Sequence, residues 1–488
     1  MLPRISRSLF GPLPHVIASC VVTWHASRDE TILRGIVVSP SGPLRDGYVH
    51  IRHGKIIGVG KQYGFDADRC GVATIIDCGT SVISPGLINA HEHIEYSLIC
   101  PLPHTSQSYG ARHEWRMGFN HKPPIEPKVI PGSEHDATVW GELRHLFSGT
   151  TSIVGEGYTP GLTRNLDRVY GFEEDLHGSA DSMENFPLDD RAGILRLGDC
   201  DYGPNAVTQG ATDGLHRYIA HVGEGVSAEA LNEFRCLSSR TFDTTARADG
   251  SGVSVDIVAP NLVMVQANSL TKEDFDLVAS RGAMVVWSPR SNIALYGSTL
   301  NVTYLLELGI NVALGTDWLP TGSATMSREA HCGAAAMKSM HNTTIEAKVL
   351  WQMMTINAAR VTGFEDQIGS LEVDKLADLA VWSGGGGDEE EVDVYSQAIF
   401  SPPESLELVM RGGQIMLAGS TLHPILPADE CERVFFGAAE KFVCVKRELN
   451  TSFAAFRSAL QEKYPTGLPP VILPGVPLNE PSCDPVLG

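Results

Sequence analysis

Residues 83–93 read ISPGLINAHEH, and this stretch decides the fold. An apolar run is broken by Pro85 and Gly86, resumes through Leu87 and Ile88, and ends on His91 and His93. Side chains two apart on an extended strand share a face, so both imidazoles can reach one point beyond the strand's end. A His-x-His pair alone is weak evidence, because histidines at that spacing are common on surfaces and in cores.

Two elements downstream give the pair weight. Tyr218–Glu224 reads YIAHVGE: Ile219 and His221 alternate on a strand that stops at Gly223, and Glu224 follows three residues after His221. Val312–Trp318 reads VALGTDW, an apolar strand terminating at Asp317. Each piece has a plain alternative: His221 can be a satisfied core histidine, and Asp317 a helix N-cap. Together, three imidazoles and one carboxylate at strand ends make a site for a single divalent metal with one position left for water.

Outward from these motifs the texture of the chain changes twice. Residues 29–84 alternate apolar and polar positions between glycine turns and predict a small antiparallel sheet. From about 85 to 365 strands alternate with helical stretches, as in LVMVQA–LTKEDFDLVASRGA–MVVWSP, where Thr271 and Asp274 form a capping box. Such alternation implies parallel βαβ construction. Helices are expected near Thr303–Leu308 and over Ile345–Val361, the latter entered through Thr343 and Glu346. Residues 366–420 return to strand texture, interrupted by an acidic loop, GGGGDEEE, at 384–391. Strands at both ends around one βα block predict a composite sheet of 29–84 plus 366–420. Residues 421–488 read as a proline-rich wrap with a helix at Leu449–Lys463, and residues 1–28 as an irregular arm with some transit-peptide flavour.

Composition narrows the function. The 488 residues carry a formal net charge of −21, which disfavours nucleic acid and anionic membranes as partners. No apolar run approaches the roughly 20 residues of a membrane span. Ten cysteines are scattered without a CxxC, the pattern of buried free thiols in a reducing cytoplasm; only Cys431, Cys444 and Cys483 cluster closely enough to suggest a bridge. A small-molecule substrate is the expected partner, and a homo-oligomer is left open.

The motifs PGLINAHEH, SGTTSIVGEG, HVGE, WSPRSN, LGTDW and TINAARVTG followed by IGSLEVDKLADLAVW resemble the amidohydrolase superfamily, in its branch of cytosine- and guanine-deaminase-like enzymes and triazine chlorohydrolases. The resemblance covers roughly 30–420. It implies an α/β fold: a distorted (β/α)8 TIM-type barrel over 85–365 with a β-sandwich built from both termini. It also implies that His91, His93, His221 and Asp317 hold one metal, zinc by preference with iron also suited. Glu224 would then shuttle a proton between the attacking water and the leaving group. A carboxylated lysine bridging two metals is excluded, since no lysine lies between Lys128 and Lys272.

One departure stands out. Where the family's sixth strand ends in a histidine facing the attacking water, this chain has Gln266, which cannot accept a proton at neutral pH. Base duty would fall on Asp317 or Glu224. For the substrate, Arg112, Trp115 and Arg116 in the loop after the first strand, and Trp287, Arg290 and Asn292 after the seventh, are the candidates. His104, His113 and His121 in that first loop are spaced too irregularly for a second metal. The leading expectation is hydrolysis of a C–N bond in a small cyclic or amide-bearing molecule. Deamination of a heterocycle, metal Lewis-acid chemistry without net hydrolysis, and a non-catalytic scaffold are the alternatives.

Overall fold

Alternating apolar and polar residues in the N-terminal segment build five strands: β1 (Val21–Trp24), β2 (Glu30–Val37), β3 (Leu44–Arg52), β4 (Lys55–Lys61) and β5 (Thr74–Pro85). The computed structural model describes all residues except 1–18, 27–28, 63–71, 104–107, 126–130, 168–174, 178–181, 185, 189–192, 385–392, 466–467, 473–474 and 484–488. Most of the expected N-terminal arm and acidic loop, together with Cys70 and His104, lie outside the described residues. Strands β2, β3 and β4 form a meander, and β5 pairs parallel with β2.

Only Gly86 separates β5 from β6 (Leu87–Asn89). A Cβ at Gly86 would collide with the side chain of Thr151, so β6 lies this close to β7 (Thr150–Ile153) only with glycine there. Strands β6, β7 and β8 (Arg164–Asn165) form one parallel sheet. A second parallel sheet contains β9 (Ser182–Glu184), β10 (Tyr218–Val222), β11 (Leu262–Gln266), β12 (Met284–Trp287) and β13 (Val312–Leu314) in sequence order. The chain beyond β13 meets the chain beyond β6: Glu92 and Asp317 form a parallel bridge, and the Asp317 N–H donates to the His91 carbonyl at 3.0 Å.

Between these strands lie α1 (Arg112–Met117), α2 (Glu134–Leu146), α3 (Ala228–Ser238), α4 (Lys272–Ser280), α5 (Pro289–Tyr296) and α6 (Val302–Glu307), and after the last of them α7 (Met326–His341). The Thr271–Asp274 capping box opens α4 as expected. The helix expected over 345–361 is instead two, α8 (Ala347–Met353) and α9 (Ile356–Thr362). The break falls where the Met354 carbonyl accepts the Ile88 N–H at 2.8 Å and Thr355 takes φ −133°, ψ −100°. A tertiary contact thus overrides a continuous local pattern.

Both faces of the parallel strands are covered. Ile219, Val263, Val265, Val286 and Ala313 form one apolar cluster, while their neighbours Tyr218, Ala220, Leu262, Met264, Val285 and Val312 belong to another. That explains why these strands read as continuous apolar runs rather than alternating ones.

The C-terminal strands β14 (Leu379–Trp382), β15 (Leu406–Arg411), β16 (Gln414–Gly419), β17 (Glu432–Phe436) and β18 (Ala439–Val443) join the N-terminal sheet, with Leu379 opposite Pro85 and Val381 opposite Ile83. Among the described residues, ten strands from the two ends of the chain share this sheet. Strands β17 and β18 lie beyond residue 420, where the sequence suggests only a wrap and a helix.

The cysteine reading needs correction. Four disulfides pair Cys20 with Cys78, Cys200 with Cys236, Cys332 with Cys483 and Cys431 with Cys444. Cys100 is free and exposed. Partners separated by 36 to 151 residues meet only through the fold, which spacing does not reveal. Within the suspected C-terminal trio, Cys431 and Cys444 do pair, but Cys483 reaches back to α7. No described helix is long and apolar enough to cross a membrane.

Candidate metal and substrate site

The ends of β6, β10 and β13 deliver four side chains to one place. One ligand atom from each of His91, His93, His221 and Asp317 lies within 4.8 Å of all the others. The His91 ring centre is 4.8 Å from those of both His93 and His221. His91 Nε2 is 3.0 Å from Asp317 Oδ1, and His93 Nε2 is 3.7 Å from the same oxygen. Asp317 sits at φ +65°, a left-handed turn that Asp tolerates better than most residues, three residues beyond the last residue of β13. Its second oxygen accepts the Ser291 hydroxyl, whose oxygen lies 2.8 Å from that of Thr321.

Electrostatics suit a cation at this point. Burial and the neighbouring His91 and His93 rings hold the His221 imidazole well below its usual pKa, so it presents a neutral lone pair. Burial would raise the Asp317 carboxyl, but its hydrogen bond to His91 and the nearby imidazoles outweigh that and keep it ionised. His91 Nδ1 is buried and finds no hydrogen-bond partner among the described residues. Three imidazoles, a carboxylate and an orphaned buried nitrogen fit a divalent metal. Glu95 and Glu156 stand close to His93 and add negative charge beside it.

A cavity of about 350 Å³ opens on this cluster, lined by His93, His221 and Asp317 together with Glu224, Arg112, Trp115, Arg116, Phe186 and Trp318. Burial raises the Glu224 carboxyl above the usual range, against the pull of Arg112. Arg112 is itself held by Glu233 at 2.9 Å. The Arg116 guanidinium lies over the Phe186 ring at 4.3 Å, and its Nη1 has no hydrogen-bond partner among the described residues. Trp115 packs against Trp318 with ring centres 5.1 Å apart. His113 is buried beside Arg112 and Arg116, and burial with those two charges pushes its pKa down to about 2.

Four of the sequence candidates lie elsewhere. Gln266, Trp287, Arg290 and Asn292 are not among the residues lining this cavity. Gln266 pairs with Val222 in the β10–β11 ladder, while His221 pairs with Val265. Gln266 closes β11 at φ +75°, outside the extended range, and its side chain turns to Asn292 rather than to the cavity. Its carbonyl accepts from the Asn292 amide; Asn292 Oδ1 accepts from the Thr299 hydroxyl at 3.0 Å, and Thr299 from the Trp287 indole at 2.7 Å. Arg290 donates to Ser323 and to the carbonyls of Arg328 and Pro481, and so anchors the C-terminal tail. Phe186, Trp318 and Tyr96, which do line the cavity, are not among the sequence candidates. Trp318 stands next to Asp317 and was the findable one; Phe186 sits in a loop with no periodic signal.

The family model described as the amidohydrolase family matches residues 211–416. A 5-methylthioadenosine/S-adenosylhomocysteine deaminase of Desulforudis audaxviator is 34% identical over 401 residues, covering 72% of this chain and 84% of that protein. The chain belongs to the amidohydrolase family. A second relative of this amidohydrolase, the like-named deaminase of Syntrophobacter fumaroxidans, is 29% identical over 72% of the chain and 84% of its own length. Two solved structures share the fold. One is an adenosine deaminase from Xanthomonas campestris with bound zinc (TM-score 0.58, 19% identity, 80% of this chain and 93% of that one). The other is an atrazine chlorohydrolase from Arthrobacter aurescens complexed with zinc (TM-score 0.53, 18% identity, 79% and 95%). This amidohydrolase is accordingly a hydrolase of the class that acts on non-peptide C–N bonds, with residues that can hold a divalent metal.

Proposed function

We propose that this amidohydrolase removes an amino group from a small purine-like heterocycle by hydrolysis. The observation that carries the reading is the convergence of three histidines and Asp317, from three strand ends, on a cavity that Glu224 also lines. In this reading the eight parallel strands form a (β/α)8 barrel, the ten-stranded sheet is its terminal β-sandwich, and His91, His93, His221 and Asp317 bind one zinc ion. Zinc is preferred because the nitrogen-rich donor set suits it and two solved neighbours hold it. A bound divalent metal would supply Lewis acidity and acidify water at the site.

The chain's own groups do the rest. Glu224 accepts a proton from the attacking water as its oxygen bonds to ring carbon, and returns a proton to the departing amine as the C–N bond breaks. Atoms balance: amine and water become a hydroxyl-bearing ring, in its keto form, and ammonia. Trp115 and Phe186 offer faces for a flat ring, and the unpartnered Arg116 nitrogen offers a donor to an acceptor on it. Arg112 fixes Glu233 rather than substrate. Gln266 takes no part, so the reason for favouring non-hydrolytic chemistry falls away.

The test is to load purified protein with zinc and follow ammonia release from adenosine and 5′-methylthioadenosine. Release that depends on added metal supports the reading. Metal-loaded protein that releases no ammonia from any purine nucleoside overturns it.

The four disulfides favour an oxidising compartment for maturation over the cytoplasm. Thiol titration of denatured, unreduced protein should find no more than two of the ten cysteines reactive, Cys100 and Cys70.

A further inference from the structure

Tyr296 closes α5 behind the cavity wall, where its ring is 3% exposed. Its hydroxyl donates to Glu224 Oε1 at 2.6 Å and accepts the Trp115 indole N–H at 2.9 Å. An indole nitrogen can only donate, and a phenol has one proton. The direction of the chain is therefore set: Trp115 to Tyr296 to Glu224. Arg112, the cation that acts most strongly on Glu224, is hydrogen-bonded to Glu233, and among the described residues Tyr296 is the one hydrogen-bond donor to Glu224.

We propose that Tyr296 is a positioning residue that fixes Glu224 by its Oε1 and leaves Oε2 as the oxygen that accepts and returns the proton. The inference rests on the hydrolytic role of Glu224 proposed above. Because Oε1 already accepts the phenol, the neutral carboxylic acid carries its proton on Oε2, so the proton sits on a single oxygen in each turnover. Without the phenol the two oxygens become interchangeable and the carboxyl is free to rotate. The charged and titratable groups acting on Glu224 are Arg112 and Arg116 from α1, Glu233 from α3, Tyr296 from α5, and His93 and Asp317 at the metal cluster.

Tyr296→Phe keeps the ring and removes only the hydroxyl. With 5′-methylthioadenosine as substrate, kcat should fall about 10- to 100-fold, the worth of one hydrogen bond to a charged group, while KM and zinc content stay near wild type. The acid limb of the rate profile should move to higher pH, because a donated hydrogen bond favours the ionised carboxyl and its loss raises the pKa. A crystal structure of the variant should show Glu224 in a new rotamer. If Phe at 296 spoils folding, Trp115→Phe, which removes the donor that orients the phenol, should shift the acid limb in the same direction. Unchanged kcat and acid limb, or an unmoved Glu224 in the variant crystal, overturns the proposal. Should the wild type release no ammonia, the hydrolytic reading fails on its own, and the Glu224 rotamer alone decides the positioning role.

Discussion

His91 and His93 turn to the Asp317 cluster beside the cavity, while Glu92, between them, turns to a second buried cluster. The same split recurs at the end of β13, where Asp317 turns to the histidines and Thr316 turns to Glu92. In the rear cluster both Glu92 oxygens are taken: Arg144 donates to one at 2.9 Å, while Asn89 at 3.3 Å and Thr316 donate to the other. In the front cluster both Asp317 oxygens are taken as well, by His91 and Ser291. Both regions are buried and rich in ionisable groups. What separates them is what each carboxylate meets: Glu92 is neutralised by the Arg144 guanidinium, whereas Asp317 lines a cavity together with imidazoles. The rear cluster ties two strand ends together, and the front one offers a cation three imidazoles and a carboxylate.

The strongest way to break the comparison is at Asp317. Asp317→Ala should reduce bound metal to background in elemental analysis and abolish turnover with it; a variant that keeps both would move the ligand role elsewhere. Next comes Glu224→Gln, which should retain metal and lose roughly 10²–10⁴-fold in rate, the usual share of a general acid/base. Full turnover would reduce Glu224 to a structural carboxylate.

The rear cluster should respond in stability instead. Glu92→Gln strands the Arg144 charge in the interior and should cost about 3–5 kcal/mol in urea unfolding at neutral pH. Burial would raise the Glu92 carboxyl, yet Arg144 and His145 overcome it and hold the pKa at about 2. A depressed carboxyl contributes its stability above the unfolded value of about 4.3 and loses it as pH falls from there toward the folded value. Wild type should therefore lose stability between pH 4.3 and 2 in excess of the variant. Equal slopes would show that Glu92 is not what ties the rear cluster.

The smallest effect is expected at Gln266. Gln266→His breaks its bond with Asn292 and should cost roughly 1–3 kcal/mol, with metal content and rate preserved. A rate change well beyond about tenfold would place the side chain in the chemistry after all.

Local pattern makes the front cluster readable in advance. His91 and His93 are two apart, Glu224 is three beyond His221, and Asp317 follows an apolar strand, so each fragment carries its own strand-end signal. Gln266 shows where this kind of reading stops. It ends an apolar strand near where His221 does, yet its backbone leaves the extended range at φ +75° and its side chain is taken by Asn292. Arg290 likewise follows a strand end but is drawn to the C-terminal tail by the Pro481 carbonyl. Tyr296 offers no sequence cue at all, being one buried aromatic in a short helix.

The sequence alone determined the family, the alternation of strands and helices, and which short motifs could carry a metal, because these depend on neighbours within a few residues. The tertiary structure decided which cysteines pair, which arginines remain available to a substrate, and which strand ends face the cavity. Those outcomes depend on partners tens to hundreds of residues away, and no local spacing encodes them.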